Sequence, residues 1–159
     1  MTTLVTQATI EPSLYNTLAT LSDSQTLTNK TIKSTKEPVT IVGAAPSSTT
    51  NFDVVTQAIS VYNTATNNFT INVRGNASTT LNSLLAVGES TTVSLFVPNG
   101  INAYFASGYQ VDGVAVTPKY QGGTPYTSGN ANCTDLYVLF IIKLANNSWS
   151  LYVSQTRFA

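Results

Sequence analysis

Phe69-Thr70-Ile71-Asn72-Val73 alternates apolar and polar side chains without a break. A period of two puts Phe69, Ile71 and Val73 on one face and Thr70 and Asn72 on the other, as in a β-strand with one buried and one wet side. The stretch before it, Val54 to Tyr62, also reads as a strand, and Asn63 to Asn68 reads as the turn between them. The two are expected to pair as an antiparallel hairpin with a long loop.

Outward from this pair the pattern continues. Upstream, Val39 to Val42 is a short strand closed by Gly43, and Ala45 to Ser48 is a turn or loop. Downstream, Leu81, Leu84 and Leu85 form a single helical turn within Ser78 to Val87, ended by Gly88. Thr91 to Val97 is a strand stopped by Pro98-Asn99-Gly100. Ala103 to Val111 is another, followed by an Asp112-Gly113 turn and a strand over Val114 to Val116. Pro118 to Asn132, with five Gly or Pro, is a long loop. Asp135 to Leu144 and Ser148 to Phe158, joined by Ala145-Asn146-Asn147, form a second hairpin. About eight strands with almost no helix predict an all-β chain, an antiparallel β-sandwich or jelly-roll-like domain over residues 38–159. No repeat of fixed period stands out.

Residues 1–37 read differently. Their apolar residues are sparse, and Leu14, Leu18, Leu21, Leu27 and Ile32 are too few to build a core. Leu14, Leu18 and Leu21 fit one face of a short helix capped by Ser13, and an extended arm fits equally well. Either way the stretch must lean on another surface, as an N-terminal assembly or attachment arm. Fully extended it spans at most roughly 120 Å.

Composition narrows the function. Only 9% of residues are charged, with seven of each sign, against about 25% in a typical domain. Thr, Ser, Asn and Gln make the polar surface instead, which suits half-exposed strands and their turns. No basic stripe exists to displace counterions from phosphates, which argues against nucleic acid; Lys30, Lys33 and Lys36 read as solvated. Met1-Thr2-Thr3-Leu4-Val5 lacks a basic start, and no apolar run is bilayer-length, so neither a secretory leader nor a membrane span is expected. The longest such run, Leu136 to Ile142, is strand-sized.

Catalytic chemistry finds little support. The chain has no histidine, and its single cysteine, Cys133, reads as a small core or loop residue. Glu11, Asp23, Glu37, Asp53, Glu89, Asp112 and Asp135 each sit singly near a turn or strand edge and read as exposed loop residues rather than a glycosidase pair. No catalytic residue, metal site or cofactor is expected. Five Asn-x-Ser/Thr sequons are near what chance gives in so Thr-rich a chain. The aromatics are a weaker lead. Tyr104, Phe105, Tyr109, Tyr120 and Tyr126 lie in or beside the Gly/Pro-rich loops, where they suit a core, a subunit interface or a surface-recognition site for sugar or protein.

Two segments resemble known proteins. Thr26-Leu27-Thr28-Asn29-Lys30-Thr31-Ile32 resembles a short motif of fibre-like and other structural proteins of tailed bacteriophages, especially those of aquatic and cyanobacterial hosts. From about Asn68 to Ala159 the chain is similar to a domain of the same proteins. The landmarks are Phe69-Thr70-Ile71-Asn72-Val73-Arg74-Gly75-Asn76, Thr79-Thr80-Leu81-Asn82-Ser83-Leu84, Val111-Asp112-Gly113, Thr117-Pro118-Lys119-Tyr120-Gln121-Gly122-Gly123, Ser128-Gly129-Asn130-Ala131-Asn132 and Ser154-Gln155-Thr156-Arg157-Phe158-Ala159. The resemblance implies a virion protein without catalytic residues, assembled in the host cytoplasm, commonly a homotrimer, with other capsid or tail proteins as partners. A capsid decoration or short head fibre is the expected role. The alternative is a small tail-fibre or receptor-binding module recognising host-surface glycans.

Overall fold

The computed structural model describes Glu37 and residues 39–159. The N-terminal arm, Glu37 apart, lies outside the described residues, and with it Leu14, Leu18, Leu21, Leu27 and Ile32. What is described is mainly β, in two sheets. The six-stranded sheet runs β1 (Val39–Ile41), β3 (Ile59–Val61), β5 (Ser90–Pro98), β9 (Thr134–Ala145), β10 (Ser148–Phe158), β8 (Lys119–Tyr120). The four-stranded sheet runs β2 (Thr49–Asp53), β4 (Phe69–Arg74), β6 (Ala106–Val111), β7 (Val114–Ala115). One short helix, α1 (Leu81–Leu84), stands where the leucine spacing placed it, N-capped by the Thr80 hydroxyl.

The expectation of antiparallel pairing is corrected. From β1 to β6 the chain changes sheet at every strand, so sequence neighbours lie in opposite sheets. Each return to a sheet sets the new strand parallel to the last one there: β1, β3 and β5 in one sheet, β2, β4 and β6 in the other. A parallel pair needs a crossover, and here the crossover is a strand of the opposite sheet. The expected hairpin of Val54–Tyr62 with Phe69–Val73 therefore does not form. Val54 to Ala58 is not strand, β3 keeps only Ile59–Val61, and β4 pairs with β2 and β6. Register partners are Val39↔Ile59 and Thr49↔Thr70 in the first round, then Ile59↔Ser94 and Thr70↔Gly108 in the second. The second round is much longer, since it carries α1 and the 99–105 loop, so no fixed period shows in the sequence.

The C-terminal half matches expectation better. β9 and β10 form the expected antiparallel hairpin, and β5 joins β9 antiparallel. The Asp112-Gly113 turn has both residues at positive φ, 52° and 79°, and joins β6 to β7. The 118–132 loop contains two small elements the reading missed, β8 and a 3-10 turn at Gln121–Gly123.

Both sheets contribute to one core. Phe52, Phe69, Ile71 and Val73 come from the four-stranded sheet; Val93, Leu95, Tyr137, Leu139 and Ile141 come from the six-stranded one. Phe69 meets Tyr137 edge to face, ring centroids 5.8 Å apart, the geometry that aromatic quadrupoles favour. The three apolar side chains of Phe69–Val73 are buried as the alternation predicted, but Asn72, expected on the wet face, is buried too, donating to Asn51 and accepting the Gly113 N–H. Among the described residues no helix is long and apolar enough to cross a membrane.

Candidate functional site

The loop tyrosines hold different positions. Tyr109 is buried in the core, and Tyr120 and Tyr126 are half-buried against it. The three rings form an edge-to-face chain, 6.2 Å from Tyr109 to Tyr120 and 5.2 Å from Tyr120 to Tyr126. The Tyr126 hydroxyl donates to the Val153 carbonyl at 3.2 Å and accepts the Gln155 N–H at 2.9 Å, so it fastens the loop to β10. Tyr104 stands apart, half-buried in the 99–105 loop, with its N–H on the Asn99 side-chain oxygen.

The Tyr109 hydroxyl is buried with no hydrogen-bond partner, and burial, reinforced by the neighbouring phenols, pushes its pKa well above the ordinary tyrosine range. Tyr137 moves the same way, through burial first and the Asp135 carboxylate second. An unfolded phenol ionises near ~10, so above that pH the unfolded chain loses protons that the folded chain keeps. The stability these groups contribute is full below about pH 10 and falls as pH rises toward the folded-state values. Tyr109→Phe removes both an unpaired hydroxyl and one of these groups. It is expected to stabilise the fold by about 1 kcal/mol at neutral pH and to flatten the alkaline loss, as measured by urea unfolding at about pH 7 and about pH 11.

Four of the described acids have structural partners, and the fifth, Glu37, is exposed. Asp53 pairs with Arg74 at 2.7 Å. Glu89 accepts the Ala86 N–H, and Asp112 accepts the Leu81 and Asn82 N–H groups at the start of α1. Asp135, read from sequence as an exposed loop acid, is fully buried. Its carboxylate accepts from the Asn99, Asn130 and Gln155 side-chain amides and from the Asn130 N–H. These bonds gather two loops at the start of β9. Gly129 belongs to the same knot: a Cβ there would overlap the Tyr104 carbonyl. Lys143 is buried too, its ammonium donating to the Asn82 and Leu85 carbonyls of α1.

The surface feature that stands out is the outer face of the six-stranded sheet. Strand register lines up Ile41, Val61, Phe96 and Leu136 in one cross-strand row and Val39, Ile59, Ser94 and Val138 in the next. A third row holds Thr92, Phe140, Tyr152 and Lys119. Ile41 is 73% exposed, Phe158 51%, Val39 45%, Tyr152 40% and Phe140 39%. Phe140 and Tyr152 lie 6.2 Å apart, and the Lys119 ammonium sits 5.0 Å over the Tyr152 ring. Hydrogen bonds from Ser150 and Lys119, with the lysine charge, hold the Tyr152 phenol below the usual range.

The other sheet's outer face is the opposite in kind. Thr49, Asn51 and Asp53 on β2 lie beside Thr70, Asn72 and Arg74 on β4, and Asn72 donates to Asn51 at 2.8 Å. Among the described residues the β2–β4 face is polar, whereas the outer face of the six-stranded sheet is apolar with Thr92, Ser94, Ser154 and Thr156 interspersed. The loop tyrosines do not converge with this face, except that Tyr120 adjoins Lys119 on β8. Reading from sequence missed Phe140 and Tyr152, yet a signal was present: the unbroken run Leu136 to Ile142. A strand with one wet face alternates, whereas a continuous apolar strand has both faces covered.

Comparison of the chain with protein-family models, with curated proteins and with solved structures finds no match in any of the three.

Proposed function

We propose that this chain is a non-enzymatic structural protein on the surface of a tailed-phage particle, a capsid decoration or short head fibre. In this reading it is a two-layer sandwich whose mixed pairing sets it apart from an antiparallel jelly roll. It assembles as a homo-oligomer, a trimer by the resemblance, on other virion proteins. The observation that carries the proposal is the contrast between its two outer faces, one apolar and one polar. Such an arrangement serves assembly, because a broad apolar sheet face is costly in water until another surface covers it. Support comes also from Asp53, Glu89, Asp112 and Asp135, each engaged in holding strands, turns or loops, and from the ordered C-terminal landmarks, which resemble those of phage structural proteins. Without a basic stripe the surface has no evident use for nucleic acid.

One feature favours a second reading, a tail-fibre or receptor-binding module for host glycans. The Phe140–Tyr152 pair with Lys119 and Gln121 lines an open groove of about 440 Å³, and exposed rings beside polar groups can stack on sugar. Immunogold labelling of intact virions with an antibody against residues 67–159 decides between them. Label over the whole head is expected and places the protein in the virion as a decoration or head fibre. Label confined to the tail would favour the second reading, and absence of label from virions whose dissociated proteins also lack the chain would overturn both.

A further inference from the structure

We infer that the apolar outer face of the six-stranded sheet is the contact surface between copies of this chain, closed by the same face of a sister subunit. The inference deepens the homo-oligomer part of the proposal above, with a two-fold pair in place of the trimer that the resemblance implies, and rests on it only there; it does not depend on where in the particle the protein sits.

Size is the first argument. The six strands hold about 40 residues, each covering roughly 16 Å² of sheet plane from the strand spacing and rise. The flat footprint is roughly 650 Å², larger as accessible area because side chains roughen it. Thr92, Ser94, Thr134, Ser154 and Thr156 are interspersed on it, so the face is not one continuous apolar patch, but its extent approaches the ~800 Å² per partner of a stable interface.

Charge is the second. Among strand residues pointing out from this face, Lys119 on the edge strand β8 carries the one charge. Two copies face to face therefore bury no opposed like charges at the centre, and the chain's formal net charge is zero. The partner's chemistry follows from the rest of the molecule. An apolar face needs an apolar counterpart, and the outer face of the other sheet, with its Asn51–Asn72 and Asp53–Arg74 pairs, is polar. Among the described residues the matching surface is this same face on another copy, which gives a self-complementary, closed contact. The pattern in β9 agrees. Tyr137, Leu139 and Ile141 fill the core, while Leu136, Val138 and Phe140 supply the side that is only half-covered or exposed.

The test uses the full chain in sedimentation equilibrium over a wide concentration range. Wild type is expected to form dimers, because a self-complementary face pairs two copies. Ile41→Glu and Phe140→Glu, both at exposed positions, are expected to weaken association by at least about tenfold with unchanged far-UV circular dichroism. Disulfide trapping guards against a folding defect. Ser94→Cys, on β5 in the middle of the sheet between Ile59 and Val138, is expected to cross-link copies under mild oxidation, and Ser107→Cys, exposed on β6, is not. A wild-type monomer at every concentration would overturn the inference. So would an oligomer untouched by both glutamates, or equal cross-linking through Ser107→Cys. Each of these would leave the virion-labelling result standing on its own.

Discussion

Asp135→Ala is expected to lower the unfolding free energy by about 3–5 kcal/mol, because it strips the acceptor from a knot of buried donors. The carboxylate is fully buried and, among the described residues, forms no salt bridge, although Arg157 is its cross-strand neighbour on β10. Its charge is neutralised by amide dipoles instead: Asn99 at 3.0 Å, the Asn130 N–H at 3.0 Å, the Gln155 amide at 3.1 Å, and the Asn130 side chain. Asn99 in turn accepts the Tyr104 N–H at 3.1 Å. Alanine leaves three side-chain amides facing an apolar void, each costing about 1–3 kcal/mol if it stays dry. Asp135→Asn is expected to cost less, about 2 kcal/mol, since one of its oxygens remains while its new NH2 opposes the other donors. Denaturant unfolding measures both, and limited proteolysis of the 124–132 loop reports whether the loop is released. A change below about 1 kcal/mol for Asp135→Ala would show that the amides find other partners. The result bears on function as well, because an acid engaged in this way is a post for two loops.

How much of this was legible depends on whether a feature is local. The Phe69–Val73 face, the α1 leucines, the Asp112-Gly113 turn and the β9–β10 hairpin are all set by residues a few positions apart, and each stands where the sequence placed it. Pairing between β1 and β6 is different. Alternation tells which side of a strand is buried but not which sheet receives it, and the loop after β3 fits a crossover as well as a hairpin. Short strands hide for a related reason. Thr49–Asp53 has one apolar residue, Phe52, and is held as a strand by its ladder to β4 rather than by its own composition. The tyrosines drew notice because loops commonly carry function, yet Tyr109, Tyr120 and Tyr126 lean inward on the core. Asp135 looked like a loop acid because its partners lie 5, 20 and 36 residues away. The outer face was written in the unbroken Leu136–Ile142 run, but such a run marks a doubly covered strand without naming the second cover.

Tyr137→Ala is expected to cost about 3–5 kcal/mol, comparable to the loss at Asp135 but by another route. Tyr137 is fully buried near the start of β9, beside Leu95 on β5 and Gln155 on β10. Its ring meets Phe69 of the opposite sheet, and its hydroxyl accepts the Ala106 N–H at the start of β6 at 3.3 Å. One side chain therefore supplies apolar burial, an aromatic contact between sheets and a partner for a buried backbone donor. Tyr137→Phe separates these effects: it keeps the ring and removes only the hydroxyl, for an expected loss of about 1 kcal/mol as the Ala106 N–H goes unpaired. Tyr137→Leu keeps apolar volume while losing the edge-to-face pair, and should fall between the two. Thermal and urea unfolding of the three variants, read against wild type at neutral pH, give the order Phe, Leu, Ala if the ring links the sheets. A Leu variant as stable as Phe would mean that bulk alone holds them. In that case the contact between sheets would rest on the shared apolar interior, and the T-shaped pair would be a consequence of packing rather than a cause.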